Sequence, residues 1–202
     1  MLRFGVAVLL LSIGLTPARA GIDLSPVVEE YRHAGFQYRK ATLKEDNGTV
    51  TFIPPQGWAL RGGKDRLQLT PPDKKFVEAT VTAEPLPAPP ALGEGTVRVL
   101  EQEVLASAPS QSQSIQLLDK QENPVAVGSY PTYQAGISYV QLGETFQRSV
   151  IFVYTPDTRL VFRFSAPKAD FDVLYQAFRR SIDSWEWIPA KPPAGSVTAS
   201  PR

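Results

Sequence analysis

The segment from 132 to 187 constrains the fold more than any other part of the chain. It contains three successive strand-like stretches, Thr132–Leu142, Phe146–Tyr154 and Arg159–Phe164. Only short turns, at Gly143-Glu144 and at Thr155-Pro156-Asp157, separate them. Strands joined by such short turns pair antiparallel with their neighbours. The sequence therefore predicts an antiparallel meander.

Directly after the meander, apolar side chains recur at helical spacing. They are Phe171, Leu174, Tyr175, Phe178, Ile182 and Trp185. Polar residues fill the other face, which is the pattern of an amphipathic helix packed on a core. Pro167 is tolerated at the helix start, and we expect Ser165 or Asp170 to accept hydrogen bonds from the free backbone N–H groups there.

A first block of strands precedes the meander. It comprises Thr49–Ile53, a hairpin with Gly62-Gly63-Lys64-Asp65 at its tip, and Phe76–Thr82. A proline-rich connector, a helix over 96–107 with Val97, Leu100 and Val104 on one face, and a strand over 114–118 follow. Two strand-rich blocks, a helix between them and a helix at the end predict a single α+β domain, an antiparallel β-sheet covered by helices.

The two ends of the chain flank this domain. Ser25–Tyr31 predicts a short helix, because Ser25 can cap it and Pro26 suits its first position. We assign 21–47 to this helix and its lead-in, and 48–187 to the α+β domain. The stretch 188–202 is rich in proline, alanine and serine, so it predicts a disordered tail.

Residues 1–20 have the three parts of a signal peptide. Arg3 supplies the positive charge, an apolar run follows, and Ala18-Arg19-Ala20 offers small residues at the two positions that signal peptidase requires. The apolar run is about 12 residues long, whereas a bilayer-spanning helix needs about 20. We therefore expect export, cleavage after Ala20, no transmembrane segment in the mature chain, and a location in the periplasm or outside the cell.

Charge and cysteine content exclude several classes of function. The leader holds two arginines and no acid, so its removal takes the net charge from +1 to −1. A nearly neutral chain has no general attraction for nucleic acid. The chain has no cysteine, which excludes thiol catalysis, iron–sulfur clusters and typical structural zinc. We expect no cofactor, and stability that comes from packing without disulfides.

The order of elements resembles a known group. A strand is followed by Pro54-Pro55-Gln56-Gly57-Trp58, a hairpin, a central helix, and a meander leading into a helix that ends Ser181-Ile182-Asp183-Ser184-Trp185. Over about 48–187 this resembles the PsbP/DcrB-like group. The resemblance implies a PsbP-like α-β-α sandwich. The group includes photosystem II extrinsic subunits, exported bacterial proteins and a small nuclear Ran-binding protein, so it implies adaptors and supplies no shared catalytic residues.

Candidate catalytic residues are few. His33 is the only histidine, and a Ser-His-Asp triad or a metal site would have to use it. We interpret it as a surface histidine at the end of the first helix. Glu101 and Glu103, two apart on a helix, diverge too much to act as a carboxylate pair. We therefore predict no catalytic, cofactor-binding or metal-binding residue.

Four residues are candidates for binding a partner. Tyr130-Pro131-Thr132-Tyr133 interrupts the alternation of a strand, and an exposed aromatic turn can anchor a partner, although packing is the alternative. Arg179 and Arg180 form either the solvated face of the last helix or a site for an acidic partner. The candidate site is therefore Tyr130, Tyr133, Arg179 and Arg180.

The sequence leaves three functions open. The first is an exported, non-catalytic accessory or protein-binding domain whose partner is another envelope or secreted protein. The second is a periplasmic hydrolase that uses carboxylates or His33 in a cleft. The third is a small-ligand-binding protein with a pocket between sheet and helix. The missing catalytic constellation and the resemblance favour the first.

Overall fold

The computed structural model describes residues 21–190, so the predicted leader and most of the predicted tail lie outside the described residues. This part of the chain contains two helices, α1 (Glu94–Ala106) and α2 (Lys168–Asp183). Its strands are β1 (Ile22–His33), β2 (Phe36–Glu45), β3 (Gly48–Phe52), β4 (Ala59–Gly62), β5 (Arg66–Thr70), β6 (Glu78–Pro85), β7 (Gln113–Glu122), β8 (Thr132–Gln141), β9 (Glu144–Tyr154), β10 (Thr158–Pro167) and β11 (Glu186–Pro189).

The predicted antiparallel meander forms the middle of a seven-stranded sheet. Its strand order is β4-β5-β6-β10-β9-β8-β7, and every neighbouring pair is antiparallel. β9 and β10 are almost wholly buried, with Ile151 opposite Phe162. This arrangement confirms the α+β class.

Alternation along β9 separates two cores, one on each face of the large sheet. Ile151 and Val153 point to the face that α2 covers, where Phe178 is buried. Phe152 points to the opposite face, where it packs in one cluster with Leu100 of α1. One helix therefore lies on each face, and the predicted PsbP-like α-β-α sandwich is confirmed.

A smaller sheet, of order β1-β2-β3-β11, shares the core beneath α2. Trp185, just beyond α2, connects the two sheets. Its ring stacks on Phe52 of the small sheet at 5.1 Å between centroids, and meets Phe162 of the large sheet edge-on at 4.9 Å. The end of α2 therefore seals the junction between the sheets, as its apolar pattern predicts.

The predicted helix over Ser25–Tyr31 is wrong, because this segment is part of β1. Pro26 lies at a register irregularity between Asp23 and Val27, where a strand tolerates the missing N–H. The turn to β2 has positive φ at Ala34 (50°) and at Gly35 (83°), as a two-residue hairpin turn requires. Pairing with the neighbouring strand β2 therefore overrides the helix signal of this segment, and the lead-in over 21–47 is a β-hairpin.

Two further predictions are wrong, the side-chain cap of α2 and the start of the tail at 188. No side chain caps the N-terminus of α2. Instead the Ser165 hydroxyl bonds that of Tyr139 at 2.7 Å, and Asp170 pairs with Lys74 Nζ at 2.7 Å. The domain does not end before 188, because β11 pairs with β3. The N–H of Ala190 also donates to the Asn47 carbonyl at 2.8 Å.

Candidate functional surfaces

Tyr133 is a core residue, so the prediction that it belongs to an exposed aromatic turn is wrong. β8 already begins at Thr132, and Tyr133 is only 1% exposed on the face that α1 covers. Its hydroxyl donates to Glu101 Oε1 at 3.4 Å. Burial, and then the charge of Glu101, raise the pKa of Tyr133 to about 12.

Tyr130 is half-buried and packs inside the domain. Its ring meets Trp187 of β11 edge-on, with 5.1 Å between centroids. It lines a cavity of about 280 Å³ at one end of the small sheet. Burial first, and then the carboxylates of Glu45 and Asp157, raise the pKa of Tyr130. Tyr130 therefore faces an acidic cavity and does not project from a turn.

Arg179 is held by the domain and is not a free surface cation. Its guanidinium donates to Gln134 Oε1 at 3.3 Å and to the Pro124 carbonyl, and it pairs with Asp183 at 3.4 Å. Gln134 follows Tyr133 in β8, and consecutive strand residues point to opposite faces. Tyr133 and Arg179 therefore lie on opposite sides of the large sheet. Only Arg180, of the four predicted residues, is exposed.

The carboxylates of α1 bind different partners. Glu101 pairs with Lys120 at 2.7 Å, and Glu103 pairs with Arg159 at 2.8 Å, so the two diverge as their spacing predicts. Among residues 21–190, no three acidic or histidine side chains come close enough together to hold a metal ion. His33 is the last residue of β1, opposite Phe36, and not at the end of a helix.

The β1–β2 hairpin presents apolar side chains to solvent. Val27 is 58% exposed, Tyr31 44% and Tyr38 38%. Tyr31 and Tyr38 are paired in register and stack with their ring centroids 5.4 Å apart. The register is continuous from Val27 to Tyr31, so all three lie on one face. Sequence reasoning missed this face because it interpreted β1 as a helix.

A groove of about 510 Å³ adjoins this face. It lies between β2 and the proline turn that follows β3, and its lining residues are Gln37, Tyr38, Arg39, Ile53, Pro54, Gln56 and Gly57. Arg39 fixes the turn by donating to the Trp58 carbonyl at 2.7 Å. We call Val27, Tyr31, Tyr38 and this groove the hairpin surface.

β1 is also the outermost strand of the small sheet. Near its base, Leu24 N–H donates to the Lys64 carbonyl at 3.2 Å, which attaches the hairpin to the tip of the β4–β5 hairpin. Further along, from Val27 to His33, β1 pairs with β2 on one side only in the described part of the chain. Such an edge offers backbone groups to which another strand can bind.

No protein-family model matches the chain, and no curated protein sequence matches it. Solved structures do. LpqN of Mycobacterium tuberculosis, described as involved in cell envelope biogenesis, is 16% identical with a TM-score of 0.50, over 80% of this chain and 92% of LpqN. The cyanobacterial PsbP of Synechocystis sp. PCC 6803 is 14% identical with a TM-score of 0.50, over 87% of this chain and 96% of that protein.

These likenesses show that the chain has the PsbP-like fold, and at such identities they show the fold alone. Between residues 21 and 190, neither helix combines the length and the apolar character needed to cross a membrane.

Proposed function

We propose that this protein is exported and acts as a non-catalytic accessory protein, which binds another envelope or secreted protein through the hairpin surface. The observation that carries the proposal is the stacked and exposed pair Tyr31 and Tyr38. Tyrosines are enriched among the residues that contribute most to binding energy. Here they already hold each other in place, so little side-chain entropy is lost when a partner covers them.

The surroundings of the pair have the composition of an interface. On this face the Glu29–Lys40 pair lies between Val27 and the two tyrosines, whereas Glu30 and Arg39 are paired on the other face of the hairpin. Interfaces combine apolar contacts with charged groups, and these charges select the partner. The outer edge of β1 adds the option that a partner strand extends the small sheet.

The fold neighbours support the exported, accessory part of the proposal. LpqN is described as involved in cell envelope biogenesis, and the PsbP-like resemblance implies extrinsic subunits and exported proteins. The leader-like pattern of residues 1–20 is consistent with both.

The test is affinity capture from the native compartment with the full chain and with Tyr31→Thr/Tyr38→Thr. Threonine keeps the preference for a strand and removes the rings. We expect at least about a tenfold loss of captured partner, because losing an aromatic anchor costs more than about 1.4 kcal/mol. Val173→Ala is the matched control, since Val173 is an apolar side chain that is 75% exposed on α2 and not part of the hairpin surface. It should capture as well as the unmodified chain.

His33→Ala separates the binding proposal from the hydrolase alternative. We expect the chain with this change to remain folded and to keep its native phenotype, whereas the double tyrosine variant loses it. If His33→Ala abolishes the phenotype while the tyrosine variant is silent, the hairpin surface is not the functional site and the hydrolase alternative replaces the proposal.

A further inference from the structure

The cavity beside Tyr130 has an unbalanced charge. Its lining residues include Gly21, Glu45, Tyr130, Asp157 and Thr158. Within the described part of the chain, two carboxylates line the cavity, those of Glu45 and Asp157, and no lysine or arginine lines it. A carboxylate in a partly closed site is stabilised by a nearby cation, so a positively charged group in this cavity would be bound favourably.

The backbone nitrogen of Gly21 lies inside this cavity. Gly21 is buried, and its N–H donates to Thr158 Oγ1 at 2.9 Å. That hydroxyl in turn donates to Asp157 Oδ1 at 3.0 Å. A Cβ built on Gly21 would lie 2.5 Å from Asp157 Oδ2. Since Cβ and the backbone nitrogen are about 2.5 Å apart, the carboxylate lies within about 5 Å of the nitrogen.

We propose that this cavity binds the α-ammonium group of the mature chain, which processing between Ala20 and Gly21 creates. Hydrolysis of that peptide bond consumes one water and breaks the C–N bond. It leaves a carboxylate on Ala20 and an amine on Gly21, which takes up a proton at neutral pH. The inference rests on the export that is part of the proposed function and on the cleavage after Ala20 that the sequence predicts.

The cavity suits an ammonium group better than it suits the peptide N–H of Gly21 that is present before cleavage. The amide offers one N–H and no charge, whereas the ammonium offers three N–H donors and the missing positive charge. Thr158 Oγ1 already accepts from this nitrogen, and Asp157 is next to it. Hydrogen bonds between charged groups are roughly twice as strong as neutral ones. Tyr130 and Trp187 line the same cavity.

Glycine at position 21 is part of the site. The Cβ of any other residue would press on the Asp157 carboxylate, which accepts a hydrogen bond of 3.0 Å from the Thr158 hydroxyl. Cleavage at another bond would leave a side chain or an extra residue where the ammonium has to enter.

The test compares the exported product that begins at Gly21 with a form that keeps Ala20, each with and without Asp157→Asn. We expect Asp157→Asn to lower the urea midpoint of the Gly21 form clearly more than that of the Ala20 form. At pH 7 the native Gly21 amine should react with an amine-specific reagent at least about tenfold more slowly than in Asp157→Asn, because a pKa raised by one unit removes nine-tenths of the free amine. Glu144→Gln, at the exposed β8–β9 turn, is the control and should change neither measurement.

The stability that the ion pair contributes decreases as the pH rises. An ion pair raises the pKa of the α-ammonium above its ordinary value of about 8, so its contribution is complete below pH 8 and is lost above it. The groups that face it are Glu45, Asp157 and Tyr130. Equal effects of Asp157→Asn in both forms overturn the ion pair and leave the proposed function intact. An exported product whose mass shows another first residue overturns the cleavage step and the inference together.

Discussion

Gly62 of β4 and Pro26 of β1 are in contact so close that no side chain fits between them. A Cβ on Gly62 would overlap Pro26 Cδ and the Leu24 carbonyl oxygen. Because one of these atoms belongs to the backbone, it cannot turn aside as the end of a flexible side chain can. The contact joins the base of the β1–β2 hairpin to the edge of the large sheet.

Gly62→Ala should therefore destabilise the domain, by about 1–3 kcal/mol as overpacking typically does. Gly63→Ala, one residue along, is the matched control, because its Cβ would meet nothing closer than the Arg66 carbonyl at 3.9 Å. Urea unfolding of both variants measures the difference. Equal midpoints would show that β1 is not anchored at this point.

Phe178→Ala should cost about 3–5 kcal/mol, the usual loss for a large aromatic side chain removed from a core. Phe178 is buried, and its ring packs on that of Phe164 with 5.5 Å between centroids. Arg180 is the control, since it is exposed, whereas Arg179 is held by Gln134 and Pro124. A denaturant titration in which Arg180→Ala costs as much as Phe178→Ala would contradict the assigned face of α2.

Tyr133→Phe should make the protein less sensitive to alkali. Tyr133 has a raised pKa of about 12 in the folded chain, against about 10 when unfolded. Its contribution to stability is therefore complete below pH 10 and is lost as the pH rises from 10 to 12. The fall of the urea midpoint between pH 9 and 11 should be shallower in the variant. An unchanged slope would mean that the Tyr133 hydroxyl is not sequestered beside Glu101.

Truncation after Ala190 should leave the melting temperature unchanged, because the composition of 191–202 lacks a core-forming pattern. Truncation after Trp185 should lower it, because this removes β11 and the contact of Trp187 with Tyr130. Thermal unfolding of the two shortened chains tests the boundary. If the shorter deletion also lowers the melting temperature, residues beyond Ala190 pack on the domain.

The parts of the fold that the sequence predicts correctly are those with a strong local pattern. The helix α2 has apolar residues on one face over four turns, and the β8–β10 meander alternates between short turns. β1 has neither property. Its Ser25-Pro26 start resembles a helix N-terminus, and it is a strand because it pairs with β2, for example Val28 with Ala41 and Tyr31 with Tyr38. Cross-strand pairing of this kind leaves no periodic pattern within β1 itself.

The candidate site fails for a related reason. Tyr133 and Arg179 look equally available in the sequence, but their exposure depends on which face of the large sheet each one meets. A shift of one residue in the start of β8 reverses that face for every side chain in the strand. Because Tyr130 and Pro131 directly precede β8, the sequence does not show that the strand begins at Thr132. The hairpin surface has no signal of its own, because its tyrosines are seven residues apart and meet only after the chain reverses.

Asp46 and Asn47, neighbours in one turn, hold both ends of the described chain: Asp46 N–H donates to the Gly21 carbonyl, and the Asn47 carbonyl accepts from Ala190 N–H. Ends that meet in this way make circular permutation feasible. A short linker from Ala190 to Gly21, with a new opening between Ala34 and Gly35, would preserve the strand order of both sheets. The same proximity would let another protein carry the whole unit as an insertion in a single surface loop.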